Sequence, residues 1–143
     1  MNKKMVMCGL ILIIMASYII YFFITNTEQE ETIVLTDENF VEINNDIFTY
    51  PENYVGRKIT YEGFMYYEQD YIVVARFNYC CGFDKYIIGL QCISDIQMPE
   101  EDEWVKVEGK IKMNYDELSD YYYPCLNVSK VEILQERGEE IIQ

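Results

Sequence analysis

The first residues of the chain form an uninterrupted apolar segment. Positions 5–24 carry no charged side chain, and an apolar helix of about 20 residues can cross the hydrocarbon core of a bilayer. Lys3 and Lys4 precede the segment, and acidic residues follow it. Because positively charged flanks stay in the cytoplasm, the pattern predicts a signal anchor over residues 1–24, with a cytoplasmic N-terminus and an extracytoplasmic remainder. A cleaved signal peptide is the alternative, but the bulky end of the segment does not resemble a small-residue cleavage site.

A polar linker and one short helix follow the apolar segment. Residues 25–36 are mostly polar and acidic, which is typical of a tether. Apolar residues then recur at helical spacing, at Phe40, Ile43 and Ile47. Thr36 or Asp37 can cap this helix, and Pro51 stops it. The pattern therefore predicts a short amphipathic helix from Asp37 to about Phe48.

The rest of the chain has the hydrophobic pattern of strands. Alternating or continuous apolar residues predict strands over five segments, 57–67, 71–79, 85–93, 104–113 and 126–134. Gly63 and Gly109 stand at inward-facing positions, where glycine permits the sharp bend that a small barrel needs. The pattern predicts a mostly β chain, in which residues 37–134 form one domain: the short helix followed by a five-stranded OB-like Greek-key barrel. An open sheet or a sandwich is the alternative, and residues 135–143 are left as an acidic tail.

Composition narrows the classes of function. The chain contains no histidine, which excludes a Ser-His-Asp triad, a Cys-His dyad and any zinc site with a histidine ligand. It carries 25 acidic and 11 basic side chains, a net charge of −14. From residue 25 onward nine basic residues stand against all 25 acidic ones, a net charge of −16. Nucleic-acid binding needs clustered Lys and Arg, so we expect no nucleic-acid partner. The missing histidine makes a non-enzymatic role the expectation.

Acidic and tyrosine runs lie between the predicted strands. The acidic runs at residues 100–103 and 116–120 match no calcium-loop pattern, and we interpret them as solvated loops. Tyr121, Tyr122 and Tyr123 precede the last predicted strand. Such a run is typical of a surface that contacts another protein, although we expect at least one of the rings to pack in the core.

Four cysteines lie beyond the apolar segment, at Cys80, Cys81, Cys92 and Cys125. Outside the cytoplasm they can form structural disulfides, or they can be small buried thiols. A bond between adjacent Cys80 and Cys81 would need a strained ring, so Cys92 and Cys125 are their candidate partners. A second hypothesis is a thiolate site in which the four sulfurs hold zinc or Cu(I) tetrahedrally and Asp84 adds an oxygen ligand beside Cys80 and Cys81. A third is a redox-active pair. No Cys-x-x-Cys motif supports the second or the third.

The residues around the cysteine pair carry a family resemblance. Residues 75–84 read Ala-Arg-Phe-Asn-Tyr-Cys-Cys-Gly-Phe-Asp. Further matched elements lie in the same order along the chain, at residues 56–59, 63–64, 104–109 and 124–126. Together they resemble the C-terminal domain of the YcgQ-like family of bacterial permease subunits, a domain of unknown function with an OB-like fold.

This resemblance implies a membrane-attached subunit that works beside a multi-spanning permease, with a link to zinc homeostasis in some members. By motif match, the family site comprises Arg76, Cys80, Cys81 and Asp84. The chain departs from the family pattern in three ways. It has one apparent membrane segment rather than several, it lacks a proline- and tyrosine-rich end, and two of its cysteines fall outside the usual signature.

These patterns together predict a single-pass, extracytoplasmic, OB-like accessory module that is not an enzyme. Its expected partner is a polytopic membrane permease or another membrane protein, and a zinc or copper ion is the candidate cofactor. Two alternatives differ in class. One is a thiol-based metal-binding or metal-delivery domain with Cys80, Cys81 and Asp84 as ligands. The other is a disulfide-stabilised protein-binding module without a ligand.

Overall fold

The computed structural model describes residues 14–19, 21, 31–79 and 84–143. The chain divides into two units, Met1–Glu30 and Glu31–Gln143. In the first unit, residues 14–19 and 21 are helical. No helix within the described ranges combines the length and the apolarity needed to cross a membrane. Most of the signal anchor predicted over residues 1–24 lies outside the described residues.

The second unit is built on one closed sheet. Its strands are β1 (Ile33–Val34), β2 (Lys58–Glu68), β3 (Tyr71–Tyr79), β4 (Lys85–Ile93), β5 (Trp104–Asp116) and β6 (Tyr121–Ile133). A helix, α1 (Phe40–Thr49), and a 3₁₀ turn (Pro51–Asn53) lie between β1 and β2. The strand order is β1-β2-β3-β4-β6-β5, and β5 also pairs with β2. This last pairing closes β2 to β6 into a five-stranded barrel, which confirms the predicted mostly β fold with a barrel and a short helix.

The pairing directions follow from this order. The neighbours β2–β3, β3–β4, β2–β5 and β5–β6 are antiparallel. β4 and β6 are parallel and pair Cys92 with Leu126. β1 is parallel to β2 and adds a short sixth strand at the edge. Because β6 lies between β4 and β5, the last barrel strand in the chain joins two strands that precede it.

Two glycines allow neighbouring strands to approach closely. The register of β5 against β6 shifts between Glu108 and Gly109, and a Cβ atom at Gly109 would collide with the carbonyl oxygen of Asn127. A Cβ atom at Gly63 would lie 2.5 Å from the carbonyl oxygen of Ala75. The irregularity at Gly109 agrees with the bend that the sequence predicts there, since bulges curve and twist a sheet.

The barrel interior is the hydrophobic core. Its buried side chains come from every barrel strand and include Ile59, Tyr61, Met65, Val74, Leu90, Val105, Val107, Ile111 and Leu126. The helix α1 adds Phe40 and Ile47 to the same cluster. The Phe40 ring meets the Tyr61 ring edge-on, with 5.3 Å between the centroids. The apolar stripe predicted for the helix therefore faces the barrel core.

The helix begins later than its sequence predicts. Residues 37–39 form a turn, in which the Asn39 side-chain oxygen accepts a hydrogen bond from the Thr36 amide at 2.7 Å. Neither Thr36 nor Asp37 caps α1, because Thr36 takes part in this turn and the Asp37 carboxylate binds an arginine instead. The first helical residue is Phe40.

The segments that precede and follow the barrel strands in the chain also pack against the barrel. In the predicted tether, Leu35 is buried and its amide donates to the carbonyl of Thr60 at 3.0 Å. Residues 134–142, here called the C-terminal strap, lie within or beside the predicted acidic tail. Ile141 forms a bridge with Phe77, and Ile142 is 2% exposed and joins the main core. The strap is therefore part of the folded domain.

Candidate functional site around Arg76

Arg76 is the charged residue that the fold buries most completely among the described residues. It lies on β3 and is 3% exposed, so its guanidinium needs polar partners to offset the loss of water. Nε donates to the carbonyl of Glu62 on β2 at 2.6 Å. Nη1 donates to Asp37 Oδ1 at 2.8 Å and also to the carbonyl of Glu139 in the strap. One side chain thus ties together the turn before α1, the barrel and the strap.

Aromatic rings complete the surroundings of Arg76. Its guanidinium carbon lies 4.7 Å from the centroid of the Trp104 ring and 5.7 Å from that of Phe40, within the range of a cation–π contact. Trp104 is 4% exposed, and its indole N–H has no hydrogen-bond partner among the described residues. A Cβ atom at Gly138 would lie 3.0 Å from the Trp104 ring, so the strap passes directly against it.

A second arginine, Arg137, belongs to the strap itself and binds Asp102, a residue outside the strap. The Arg137 guanidinium carbon lies 5.6 Å from the Trp104 centroid. Its Nη2 pairs with Asp102 at 2.6 Å and its Nε with Glu140 at 2.6 Å. The hydrogen bond to Asp102 raises the pKa of the Arg137 guanidinium above its ordinary value. Because Arg137 and its partners are partly exposed, these pairs orient the strap more than they stabilise it.

A small open cavity of about 210 Å³ lies beside Arg76. Its charged lining residues are Asp37, Glu62, Arg76 and Lys106. Arg76 pairs with Asp37 at 2.8 Å, and Lys106 lies 3.8 Å from Glu62. Each pair joins one basic and one acidic side chain, so the four charges cancel and the cavity presents no net charge to a ligand.

Two of the hydroxyl groups that line this cavity, those of Thr60 and Tyr61, donate hydrogen bonds to backbone carbonyls. The Thr60 hydroxyl donates to the carbonyl of Val107 at 3.0 Å. The Tyr61 hydroxyl donates to the carbonyl of Val74 at 3.1 Å, and burial raises its pKa well above the ordinary value. A catalytic nucleophile needs an adjacent base or a lowered pKa. Neither is found for the hydroxyls of Thr60 and Tyr61.

The predicted family site is only partly described. Cys80 and Cys81 lie outside the described residues, and Asp84 is exposed just before β4. Arg76 faces Ile88 across the β3–β4 ladder, and the carboxylate that it binds is that of Asp37. Arg76 is thus committed to internal contacts, and its grouping with Cys80, Cys81 and Asp84 stays a prediction.

Cys92 and Cys125 are buried, and neither forms a disulfide with another described residue. Burial raises the pKa of the Cys92 thiol to about 12, and burial also raises the pKa of Cys125. Since the thiolate is the form that attacks, neither thiol is activated as a nucleophile near neutral pH. Across residues 31–79 and 84–143, no group of three or more Cys, Asp or Glu residues could hold a metal ion. Disulfides to Cys80 or Cys81 stay a prediction.

The partners of Arg76 were missed by the sequence analysis. The available signal was Arg76 itself, which stands between Ala75 and Phe77 and shares the inward-facing parity of Val74. A cation at such a position requires a buried acceptor. Nothing in the spacing points to Asp37 or to the Glu139 carbonyl, which lie far from Arg76 along the chain.

Comparisons with known proteins agree with the resemblance around residues 75–84. The profile of the family described as DUF1980 C-terminal domain matches residues 22–140. A Streptococcus mutans protein named "Putative two-component membrane permease complex subunit" is 26% identical over 100 residues, which cover 67% of this chain and 37% of that protein. The "UPF0703 protein YcgQ" of Bacillus subtilis is 28% identical over 102 residues, which cover 66% of this chain and 33% of that protein.

The chain therefore spans about a third of the length of these two relatives. No solved structure matches the chain significantly. The family profile, in contrast, covers most of the chain, including the whole barrel and nearly all of the strap. On this ground the chain belongs to the DUF1980 C-terminal domain family.

Proposed function

We propose that this chain is a non-catalytic accessory module of a membrane permease complex. The observation that carries the proposal is the similarity to a relative named as a subunit of a two-component membrane permease complex. The site around Arg76 supports a binding role rather than catalysis, because its charges are paired and the hydroxyls of Thr60 and Tyr61 are engaged. The absence of histidine from the chain favours the same interpretation.

The strand connections support an OB-like barrel as the form of this module. β2, β3 and β4 follow one another around the sheet, and β6 then inserts between β4 and β5. A five-stranded Greek-key barrel of this kind binds its partners through one strand face and the loops beside it. With a net charge of −14, the surface suits a protein partner and repels a phosphate backbone.

The proposal places the barrel outside the cytoplasm, held by a single N-terminal anchor. It rests on the apolar segment at positions 5–24 and on the lysines before it. An anchor of this type keeps the barrel beside any multi-spanning partner in the same membrane. Such tethering raises the effective concentration of the two proteins, so that even a weak contact can hold them together.

A metal-binding role is the second candidate, and it is confined to one segment. The predicted zinc or copper ligands are Cys80, Cys81 and the exposed Asp84, since no group of three or more Cys, Asp or Glu within residues 31–79 and 84–143 could hold a metal ion. Zinc retained by the purified protein at about one equivalent, and lost in Cys81→Ser, would support this role. Retention that is equal in both proteins would contradict it.

The direct test of the permease role is co-purification. The full chain, tagged at its C-terminus, is co-expressed with candidate multi-spanning membrane proteins from the same genome and extracted in mild detergent. We expect the two proteins to elute together in a fixed ratio, whereas an unrelated multi-spanning protein expressed at the same level does not. Recovery of the tagged chain alone, in several detergents, would contradict the proposal.

A further inference from the structure

Strands β5 and β6 continue together beyond the barrel. β2 pairs with β5 as far as Lys110, and β4 pairs with β6 from Leu126 onward. β5 and β6 nevertheless stay paired with each other as far as Asp116 and Tyr121. Residues 112–125, here called the β5–β6 arm, therefore form a two-stranded ribbon. At about 3.3 Å per residue, it extends roughly 15 Å past the other strands.

The arm carries a concentration of exposed apolar and aromatic side chains. Met113, Tyr115, Tyr121 and Tyr122 are exposed, and Leu118 at the tip is 97% exposed. The rings of Tyr115 and Tyr122 pack against each other, with 4.9 Å between their centroids. Single exposed apolar residues are normal, but grouped ones mark interaction surfaces. Tyrosine is also enriched in protein interfaces.

The tip of the arm is held in one conformation by its own polar groups. The Asp116 carboxylate accepts hydrogen bonds from the Leu118 amide at 3.0 Å and from the Ser119 hydroxyl at 2.7 Å. The Tyr115 hydroxyl donates to Asp120 at 2.6 Å. These bonds fix the turn from which Leu118 projects. A contact residue that is ordered before binding loses less conformational entropy when the complex forms.

The charges at the tip indicate what kind of surface could receive Leu118. Asp116, Glu117 and Asp120 surround it, and the whole chain carries a net charge of −14. Anionic lipid headgroups would repel such a tip. A protein surface with an apolar pocket and a rim of Lys or Arg would complement it.

We propose that the β5–β6 arm is the surface that docks on the multi-spanning membrane partner, with Leu118 inserted into an apolar pocket that basic residues surround. The Tyr115–Tyr122 pair forms the flank of the same contact. This proposal rests on the permease role proposed above and names the part of the chain that carries it out.

The test compares variants of the full chain in the co-purification described above, with the apparent Kd measured in detergent. Leu118→Ser and Tyr122→Ala change the arm, and Ile96→Ser changes an exposed apolar residue elsewhere. We expect Leu118→Ser to weaken binding about tenfold or more, as interface anchors do, and Ile96→Ser to leave it unchanged. Thermal unfolding should be the same in Leu118→Ser and wild type, because the Leu118 side chain is almost fully exposed.

The outcomes distinguish a failure of the arm proposal from a failure of the proposed permease role. If wild type binds and both arm variants bind equally well, the arm proposal is overturned and the permease role stands. If wild type does not bind at all, both are overturned. Wild type and Leu118→Ser are also mixed with vesicles of phosphatidylethanolamine and phosphatidylglycerol. Binding that is lost or weakened in Leu118→Ser would show a lipid occupant and overturn the proposed protein contact, whereas binding that is equal in the two proteins, as an N-terminal anchor alone would give, supports it.

Discussion

The guanidinium of Arg76 stacks on the ring of Trp104 at 4.7 Å, and both side chains are almost completely buried. Arg76 belongs to β3 and Trp104 opens β5, two strands that are not neighbours in the sheet. β2 lies between them, with Phe64 opposite both Ala75 and Trp104, and the strap contacts both side chains at Glu139 and Gly138. We interpret Arg76, a residue of the family motif, as a structural centre that fixes the strap and the turn before α1.

Replacing Arg76 should destabilise the protein more than replacing its ionic partner. Arg76→Met removes the donors to two backbone carbonyls and to Asp37, which should lower the free energy of unfolding by about 2–4 kcal/mol. Asp37→Asn should cost less than about 1 kcal/mol, because the Asp37 side chain is half exposed. Urea unfolding of the purified variants measures both values. An Arg76→Met variant as stable as wild type would contradict the structural role.

The strap should contribute to stability through one of its two terminal isoleucines. Ile142 is buried in the core and Ile141 is partly exposed, so Ile142→Ala should lower the free energy of unfolding by about 2–3 kcal/mol. Ile141→Ala is the matched control and should cost less than about 1 kcal/mol. Thermal unfolding of the two variants compares them directly. Equal losses would mean that the strap does not insert its last apolar residue into the core.

Cys92 should make stability depend on pH in the alkaline range. Its thiol has an ordinary pKa of 9.0, which burial raises to about 12 in the folded protein. Above pH 9 the unfolded chain loses this proton while the folded chain keeps it. The contribution is thus complete below pH 9 and is lost as the pH rises toward 12. Wild type should lose at most about 1.4 kcal/mol per pH unit more than Cys92→Ala over this range.

The measurement for Cys92 is a series of urea unfolding curves between pH 8 and pH 11. The comparison uses the slopes with pH, because Cys92→Ala also changes packing and shifts the whole curve. Other alkaline groups titrate in both proteins and cancel in the difference. Parallel curves would show that the folded chain releases the Cys92 proton as easily as the unfolded chain does.

Gly109 should not tolerate a side chain. A Cβ atom there would collide with the backbone oxygen of Asn127 at the register shift between β5 and β6. Because backbone must move to relieve this contact, Gly109→Ala should cost about 1–3 kcal/mol. Glu108→Ala, on the adjacent residue, removes only a partly exposed ion pair with Lys58 and should cost less than about 1 kcal/mol. Chemical unfolding of both variants tests the difference, and equal stabilities would place the bend elsewhere.

The barrel strands could be predicted because half-buried strands alternate apolar and polar residues. The bounds of β3 and β4 agree with the prediction at both ends, and β2 differs by one residue at each end. β6 begins at Tyr121, five residues earlier than predicted. Pro124 and the tyrosine run hid this start, since proline removes a ladder donor and is tolerated where a strand lacks a second neighbour.

The local sequence pattern does not predict the remaining elements. β1 has two residues, too few to show any period. The apolar pair Ile141 and Ile142 follows an acidic stretch, and only tertiary contacts with β3 and the core reveal its role. The cluster around Arg76 depends on residues separated by dozens of positions, so no local pattern could assemble it.

Contacts between residues that are far apart in the sequence set an order on folding. Lys58 pairs with Lys110, and Phe77 contacts Ile141, so closing the barrel requires contacts between residues far apart in sequence. Such contacts slow folding, because the chain loses the conformational entropy of closing long loops before the contacts stabilise it. During synthesis, β2 to β4 emerge well before β6 and the strap. We therefore expect the barrel to stay open, with its core exposed to chaperones and proteases, until residues as far as Ile142 have emerged.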